Sequence, residues 1–244
     1  MRCLLVSDIH GNLAAFDAVL RDAGQFDVIW CLGDMVGYGP DPNECVTRLR
    51  EYQHVCLAGN HDWAVLGKLD IHTFNSDARA ANQWTQSVIA PDVQAYLQGL
   101  TPQRVEQGYT LVHGSPRQPV WEYILDPLTA ELNFPLITTH VCLVGHTHVP
   151  VCFYMPEDND DHLCEPRSPR YNQPISLTSG RWIVNPGSVG QPRDGNPYAA
   201  YAILDLEAAT LEHRRAEYPV QVTQQKMRAA KLPRRLIERL AIGH

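Results

Sequence analysis

The sequence predicts an α/β fold with a mixed sheet, on three observations. Short apolar runs alternate with helical stripes of about ten residues through the first 60 positions, and strands joined that way need parallel pairing with right-handed crossovers. Turn-forming residues punctuate each run. Between positions 182 and 215 strand candidates follow one another without an intervening helix, as antiparallel neighbours do.

The elements follow in order. Residues 2–6 make the first apolar run. At 13–20, Leu13, Phe16, Val19 and Leu20 form one helical face, with Asn12 as N-cap and Gly24 as stop. Residues 27–32 are the second strand, 42–50 the second helix with Pro42 near its start, and 54–58 the third strand. Residues 62–100 read as mostly helical, rich in Ala and Gln, and broken by Pro91. Strands at 104–106 and 109–112 flank Gln107-Gly108, a hairpin signal. A helix near 128–134 leads into strands at 141–144 and 149–154. Residues 156–180, dense in Asp, Pro, Ser and Asn, read as an exposed loop or insertion, and the acidic run at 157–161 as solvated surface. Strands at 182–184, 198–205 and 210–215, with a turn near 207–209, close the sheet pattern. Residues 219–240 predict a helix interrupted at Pro233, its basic side chains forming a solvated face. No linker supports a cut, so residues 1–244 read as one domain.

Composition narrows the function. The chain is 44% hydrophobic and 19% charged, which is globular rather than disordered. Its 27 acidic and 20 basic residues give a net charge of −7, unsuited to bulk nucleic acid or an anionic membrane. No apolar run reaches the ~18–20 residues of a membrane helix, and the first is too short for a signal-peptide core. The cysteines are seven, an odd number, with no CxxC pair. Buried reduced thiols and a cytoplasmic location follow, not a disulfide framework. Eleven histidines in an acid-rich chain direct attention to a metal site.

Five segments carry that chemistry: Asp8-Ile9-His10, Gly33-Asp34, Gly59-Asn60-His61-Asp62, His113-Gly114, and Gly145-His146-Thr147-His148. Four of them fall immediately after predicted strands, and the carboxyl ends of parallel strands meet along one edge. In Asp8-x-His10 and His146-x-His148, alternate residues of an extended strand end point the same way, so each pair can reach one ion. Asp34 has two oxygens and can bridge two cations, while Asn60 offers a neutral carbonyl oxygen. Asp, Asn and His without thiolate suit manganese, iron, zinc or related ions better than a soft-metal site.

In this order the segments resemble the signature of the calcineurin-like metallophosphoesterases. Gly37-Tyr38-Gly39-Pro40-Asp41-Pro42, His113-Gly114-Ser115-Pro116, and Asn185-Pro186-Gly187-Ser188-Val189-Gly190-Gln191-Pro192-Arg193-Asp194 resemble the bacterial and archaeal predicted phosphodiesterase branch. The resemblance implies a four-layer α/β/β/α sandwich of two mixed sheets flanked by helices. It implies two divalent ions, manganese first, with iron, zinc, nickel or cobalt as alternatives. Asp8, His10, Asp34 and His148 would hold one ion; Asp34, Asn60, His113 and His146 would hold the other. A hydroxide bridging the metals would attack phosphorus in line, with His61 assisting the leaving group. Arg193 is the candidate contact for the substrate phosphate.

Protein serine/threonine phosphatases of this superfamily carry Gly-Asp-x-x-Asp-Arg-Gly at the second motif. Here Gly37 and Tyr38 replace the second Asp and the Arg, which leaves open what orients His61. The expected activity is hydrolysis of small phosphodiesters, with dinucleoside polyphosphates as the alternative. A non-catalytic scaffold on the same fold is the competing class; a complete set of metal positions and His61 argue against it. Asn75 reads as a helix cap, and Trp63 and Trp84 as packing residues. His54, His72, His140, His162, His213 and His244 are given no functional role.

Overall fold

Period-two burial in the strands sets the layers. In β1 (Arg2–Val6), Leu4 and Val6 join one apolar cluster while Cys3 and Leu5 join another, on opposite faces of the strand. The computed structural model describes residues 1–157 and 163–244. Residues 158–161 of the acidic run, and His162, lie outside the described residues.

The first sheet contains β1, β2 (Val28–Cys31) and β3 (His54–Cys56), paired in parallel through α1 (Leu13–Asp22) and α2 (Pro42–Leu49). Asn12 caps α1 by accepting from the Ala15 N–H at 3.2 Å. Three helices follow: α3 (Asn60–Val65), α4 (Ser76–Val88) and α5 (Pro91–Gln98). Asn75 caps α4 through the Ala78 N–H at 3.0 Å, as its sequence position predicts. Pro91 begins α5 rather than merely ending α4, because its missing N–H costs nothing in a first turn.

The second sheet is entered by the hairpin β4 (Gln103–Glu106) and β5 (Tyr109–Val112), then α6 (Pro127–Asn133), β6 (Val141–Val144) and β7 (Val151–Met155). Residues 156–180 contribute two short edge strands, β8 (Glu165–Arg167) and β9 (Ile175–Ser176), beside mainly exposed chain. Then come β10 (Arg181–Asn185), β11 (Ala199–Asp205), β12 (Thr210–Ala216), α7 (Val220–Ala229) and α8 (Arg234–Arg239). The sheets run β3-β2-β1-β11-β12-β9 and β4-β5-β6-β10-β7-β8, each mixing parallel and antiparallel pairs.

Cys3, Leu5, Trp30 and Leu32 of the first sheet meet Leu111, Leu143, Trp182 and Val184 of the second, forming the central core. Fully burying one such large side chain contributes about 1.5–3 kcal/mol. Helices α1 and α2 cover the outer face of the first sheet, and α6 that of the second, which gives the expected four layers. A fourth cluster joins Tyr38, α3, α4, α7 and α8 beside the sheet ends. All seven cysteines are buried and unpaired. Among the described residues no helix is long and apolar enough to cross a membrane.

Candidate metal centre and active site

The parallel strands β1, β2, β3, β5 and β6 all end along one edge, and each of the five segments begins within three residues of such an end. Asp8, His10, Asp34, His146 and His148 are not extended, however. Their φ angles are 53°, 49°, 54°, 66° and 62°, so each pair converges through left-handed turns rather than through strand alternation. One consequence is that His146 and His148 do not serve the same cluster. Ligating atoms of Asp8, His10, Asp34 and His148 lie within 4.8 Å of one another, as do those of Asp34, His113 and His146. Asn60 joins the second group, with its Oδ1 3.1 Å from His113 Nε2.

The donor chemistry fits metal ions. His10 Nδ1 is 3.1 Å from the Val36 carbonyl, His148 Nδ1 2.6 Å from that of Gln191, and His113 Nδ1 2.8 Å from that of Leu32. Each carbonyl fixes the proton on Nδ1, leaving the Nε2 lone pair aimed inward. Two of those lone pairs, on His10 and His148, face each other at 3.1 Å. Asp8 Oδ1, Asp34 Oδ2 and His146 Nε2 are buried without a hydrogen-bond partner. Asp34 Oδ2 lies 3.6 Å from His10 Nε2 and 3.5 Å from His113 Nε2, between the two groups. A buried collection of acceptors without donors is unstable by itself and is satisfied by cations.

Burial dominates the titration of these groups. It pushes the Asp8 carboxyl up to about 7 and holds Asp34 well above the usual carboxylate range, with neighbouring Asp62 adding to the latter. It also holds His10, His146 and His148 well below the ordinary imidazole value. The neutral imidazoles that result are the form that ligates metal.

The loops are held at close quarters. A Cβ on Gly59 would stand 2.0 Å from Asp34 Oδ1, so only glycine lets that carboxylate approach. Asp62 does not orient His61. Its carboxylate accepts from the N–H groups of Gly59, Asp34 and Val36 at 2.8, 2.9 and 3.1 Å, tying the second and third motifs together. Asn185 Nδ2 donates to the Gly145 carbonyl at 2.7 Å, and Ser188 Oγ to that of Asp8 at 2.8 Å. Asn185 and Ser188 of the Asn185–Asp194 motif thus seat the loops that carry the candidate ligands.

His61 stands in the first turn of α3, its ring centroid 4.9 Å from that of His10. Its Nδ1 lies 2.9 Å from Asn82 Oδ1 on α4, which answers the question left by the missing motif aspartate. Burial lowers His61 to about 3, opposed by that hydrogen bond. Sequence reasoning passed over Asn82; its signal was a polar residue on the Ala78, Ala81, Thr85 face that α4 buries. It also passed over Trp121 and Tyr123. The Tyr123 ring stacks on His146 at 4.1 Å, and Trp121 reaches His61 through Phe74, with 5.2 Å between successive centroids. Both rings remain exposed. Arg193 is part-buried, donating to Gln191 Oε1 at 3.0 Å, its guanidinium 5.9 Å from the Tyr38 ring centre.

This is the geometry of a metal-centred phosphoester hydrolase, and comparison with known proteins gives it a family. Residues 1–209 match the model of the calcineurin-like phosphoesterase superfamily domain, and the chain belongs to that superfamily. A metallophosphoesterase structure from Sphaerobacter thermophilus is similar at TM-score 0.90 and 46% identity, covering 100% of this chain and 99% of that one. An uncharacterized protein of Methanocaldococcus jannaschii is 37% identical over 98% of this chain and 97% of its own length. Phosphodiesterase YfcE of Escherichia coli is 28% identical over 86% of this chain and 91% of its own. The chain is a metal-dependent phosphoric ester hydrolase.

Proposed function

We propose that the protein hydrolyses small phosphodiesters at a centre of two divalent ions. Manganese is the first choice, with iron, zinc, nickel or cobalt as alternatives that the same N/O donors accept. The carrying observation is Asp34 Oδ2, buried, unpartnered and placed between two groups of inward-facing acceptors. Asp8, His10, Asp34 and His148 would hold one ion and Asp34, Asn60, His113 and His146 the other. Bound there, two such ions supply the charge that lowers the pKa of a coordinated water and neutralises phosphate oxygens.

The remaining residues position the substrate and handle a proton. With Nδ1–H directed at Asn82 Oδ1, His61 presents Nε2 to the leaving side. Burial keeps the free ring neutral, and an anionic phosphate alongside favours its protonated form. His61 then donates to the departing oxygen, a contribution of ~10²–10⁴-fold. Arg193 meets the phosphate, while the exposed faces of Trp121 and Tyr123 offer contact to an organic substituent. Resemblance to a phosphodiesterase supports the diester reading. Seven buried thiols support a cytoplasmic location. A dinucleoside polyphosphate is the second substrate reading, favoured by Arg235 and Arg239, which line one cavity with Arg193.

The test is metal analysis, then turnover of bis(p-nitrophenyl) phosphate, its monoester and diadenosine tetraphosphate with added Mn²⁺. His61→Ala should keep both ions and lose most turnover; loss of metal in that variant overturns the assignment. Full metal loading with no hydrolysis of any of these substrates would count heavily for the scaffold reading instead.

A further inference from the structure

The C-terminal helix carries an unexplained concentration of positive charge. Leu236, Ile237 and Leu240 bury themselves in the cluster that holds Tyr38, Ala64, Ala78 and Ala81. That packing sets Arg235 and Arg239 beside Arg193, and the three line a cavity of about 560 Å³ together with Glu238, Ile242 and His244. Glu238 is engaged by Arg234, Nε to Oε1 at 2.5 Å. Among the described residues, no carboxylate forms an ion pair with Arg193, Arg235 or Arg239. Arg239 Nε donates to the His244 backbone oxygen, while Arg193 Nε is buried with no partner. In a chain of net charge −7, three guanidinium groups share one cavity, and the carboxylates that act on them, Asp8 and Asp34 on Arg193 and Asp77 on Arg239, do so without a direct ion pair. Crowding like charges is unfavourable unless an anion joins them.

Arg193 ties this cavity to the candidate metal centre. Its backbone N–H donates to the His148 carbonyl at 3.3 Å, and the Tyr38 ring beneath it lies 4.6 Å from His10 and 4.3 Å from His61. Arg235 and Arg239 stand outside residues 1–209, the part that matches the superfamily model, so α8 adds them to the common site.

We infer that Arg193, Arg235 and Arg239 form a subsite for further phosphate groups of the same substrate, extending the active site toward phosphoanhydride chains. The inference rests on the phosphoesterase reading and narrows it. Guanidinium forks pair with successive phosphates in bidentate fashion, and clustered positive charge attracts such an anion.

Calorimetric titration of inorganic tripolyphosphate and of orthophosphate into the full-length protein decides it. In Arg235→Gln/Arg239→Gln the tripolyphosphate Kd should rise about tenfold or more, with orthophosphate shifting about twofold at most. Equal weakening of both anions would mark an isolated anion site, and no weakening would mark a solvated face; either overturns the inference. Arg239→Lys, which keeps the charge but loses the bidentate fork, should weaken tripolyphosphate severalfold, less than the double variant does. If the double variant fails to fold, exposed Arg235→Gln alone should weaken tripolyphosphate severalfold, and an unchanged Kd refutes the subsite. With Mn²⁺ present, kcat/KM for diadenosine tetraphosphate divided by that for bis(p-nitrophenyl) phosphate should fall in the double variant. Absence of any wild-type turnover would sink the phosphoesterase reading, while the titration still decides the subsite.

Discussion

Replacing Asn82 tests whether His61 is a positioned proton donor. Asn82 is wholly buried, and its Oδ1 is the acceptor 2.9 Å from His61 Nδ1. Asn82→Leu keeps the volume and removes the acceptor. The buried Nδ1–H is left unsatisfied, which costs about 1–3 kcal/mol of stability. The ring cannot escape by turning freely, because Gly37 stands so close that a Cβ there would lie 2.6 Å from Nδ1. With its tautomer and tilt no longer set, His61 should forfeit part of the ~10²–10⁴-fold that proton donation supplies, so kcat should drop about 10–100-fold. Metal content should stay at the wild-type value. Asn82→Asp, which restores an acceptor, should recover kcat to within about fivefold. The assays are bis(p-nitrophenyl) phosphate turnover with Mn²⁺, metal stoichiometry and thermal unfolding. Wild-type kcat in Asn82→Leu, or loss of rate in step with loss of metal, would refute the positioning role.

Other perturbations reach the metals and the fold. If Asp34 is shared between two ions as proposed, Asp34→Asn should lose both together on dialysis; retention of either at wild-type affinity refutes the bridge. A metal at 100 times its Kd should raise unfolding stability of chelated protein by about 2.7 kcal/mol, and an unmoved Tm with added Mn²⁺ would exclude a folded-state site. Gly59→Ala forces a methyl into Asp34 and should cost both metal binding and several °C of Tm; normal loading in that variant would show that the loop has room. Burial pushes His213 down to about 4, below its ordinary 6.5 in the unfolded chain. The folded state therefore binds fewer protons than the unfolded one across that interval. The resulting stability is complete above about pH 6.5 and fades toward pH 4, by about 3 kcal/mol at most. His213→Gln should flatten that part of the curve, and an unchanged slope in urea titrations would show that His213 is not responsible.

Legibility in the sequence followed the range of the interaction. Helix α1 was readable because its cap and its stripe lie within a dozen residues, and the β4–β5 hairpin because Gln107-Gly108 marks the turn locally. The convergence of the candidate ligand segments was readable because each follows a strand, and strand ends meet in any parallel sheet. What joins elements far apart was not readable. Asn82 meets His61 across 21 positions, and Lys226 meets Asp41 across 185. The strand-alternation argument for Asp8 and His10 failed for a local reason: both residues lie beyond Val6, where the chain has left extended geometry. The basic residues of the C-terminal helices read as one solvated face, since a linear pattern cannot show that Arg235 and Arg239 close a cavity with Arg193.

The left-handed residues of the candidate site explain how it keeps its shape. Asp8, His10, Asp34, His146 and His148 all hold positive φ without being glycine, a conformation costing of order 1 kcal/mol or more per residue. Such strain persists only where surrounding bonds over-determine it. Here Asp8 N–H donates to the Gly33 carbonyl at 3.0 Å, His10 N–H to that of Asp34 at 2.9 Å, and Gly190 N–H to that of Asp8 at 3.0 Å. The Asp8 carboxylate in turn accepts from the His146 N–H at 3.1 Å, linking the first motif to the last. Each loop is therefore clamped by another loop's backbone. The four-layer core supplies the energy that holds these turns, so that ligand atoms are gathered at low reorganisation cost before an ion arrives. Loop distortion by a single methyl at Gly59 should consequently damage metal binding more than removal of any one imidazole does.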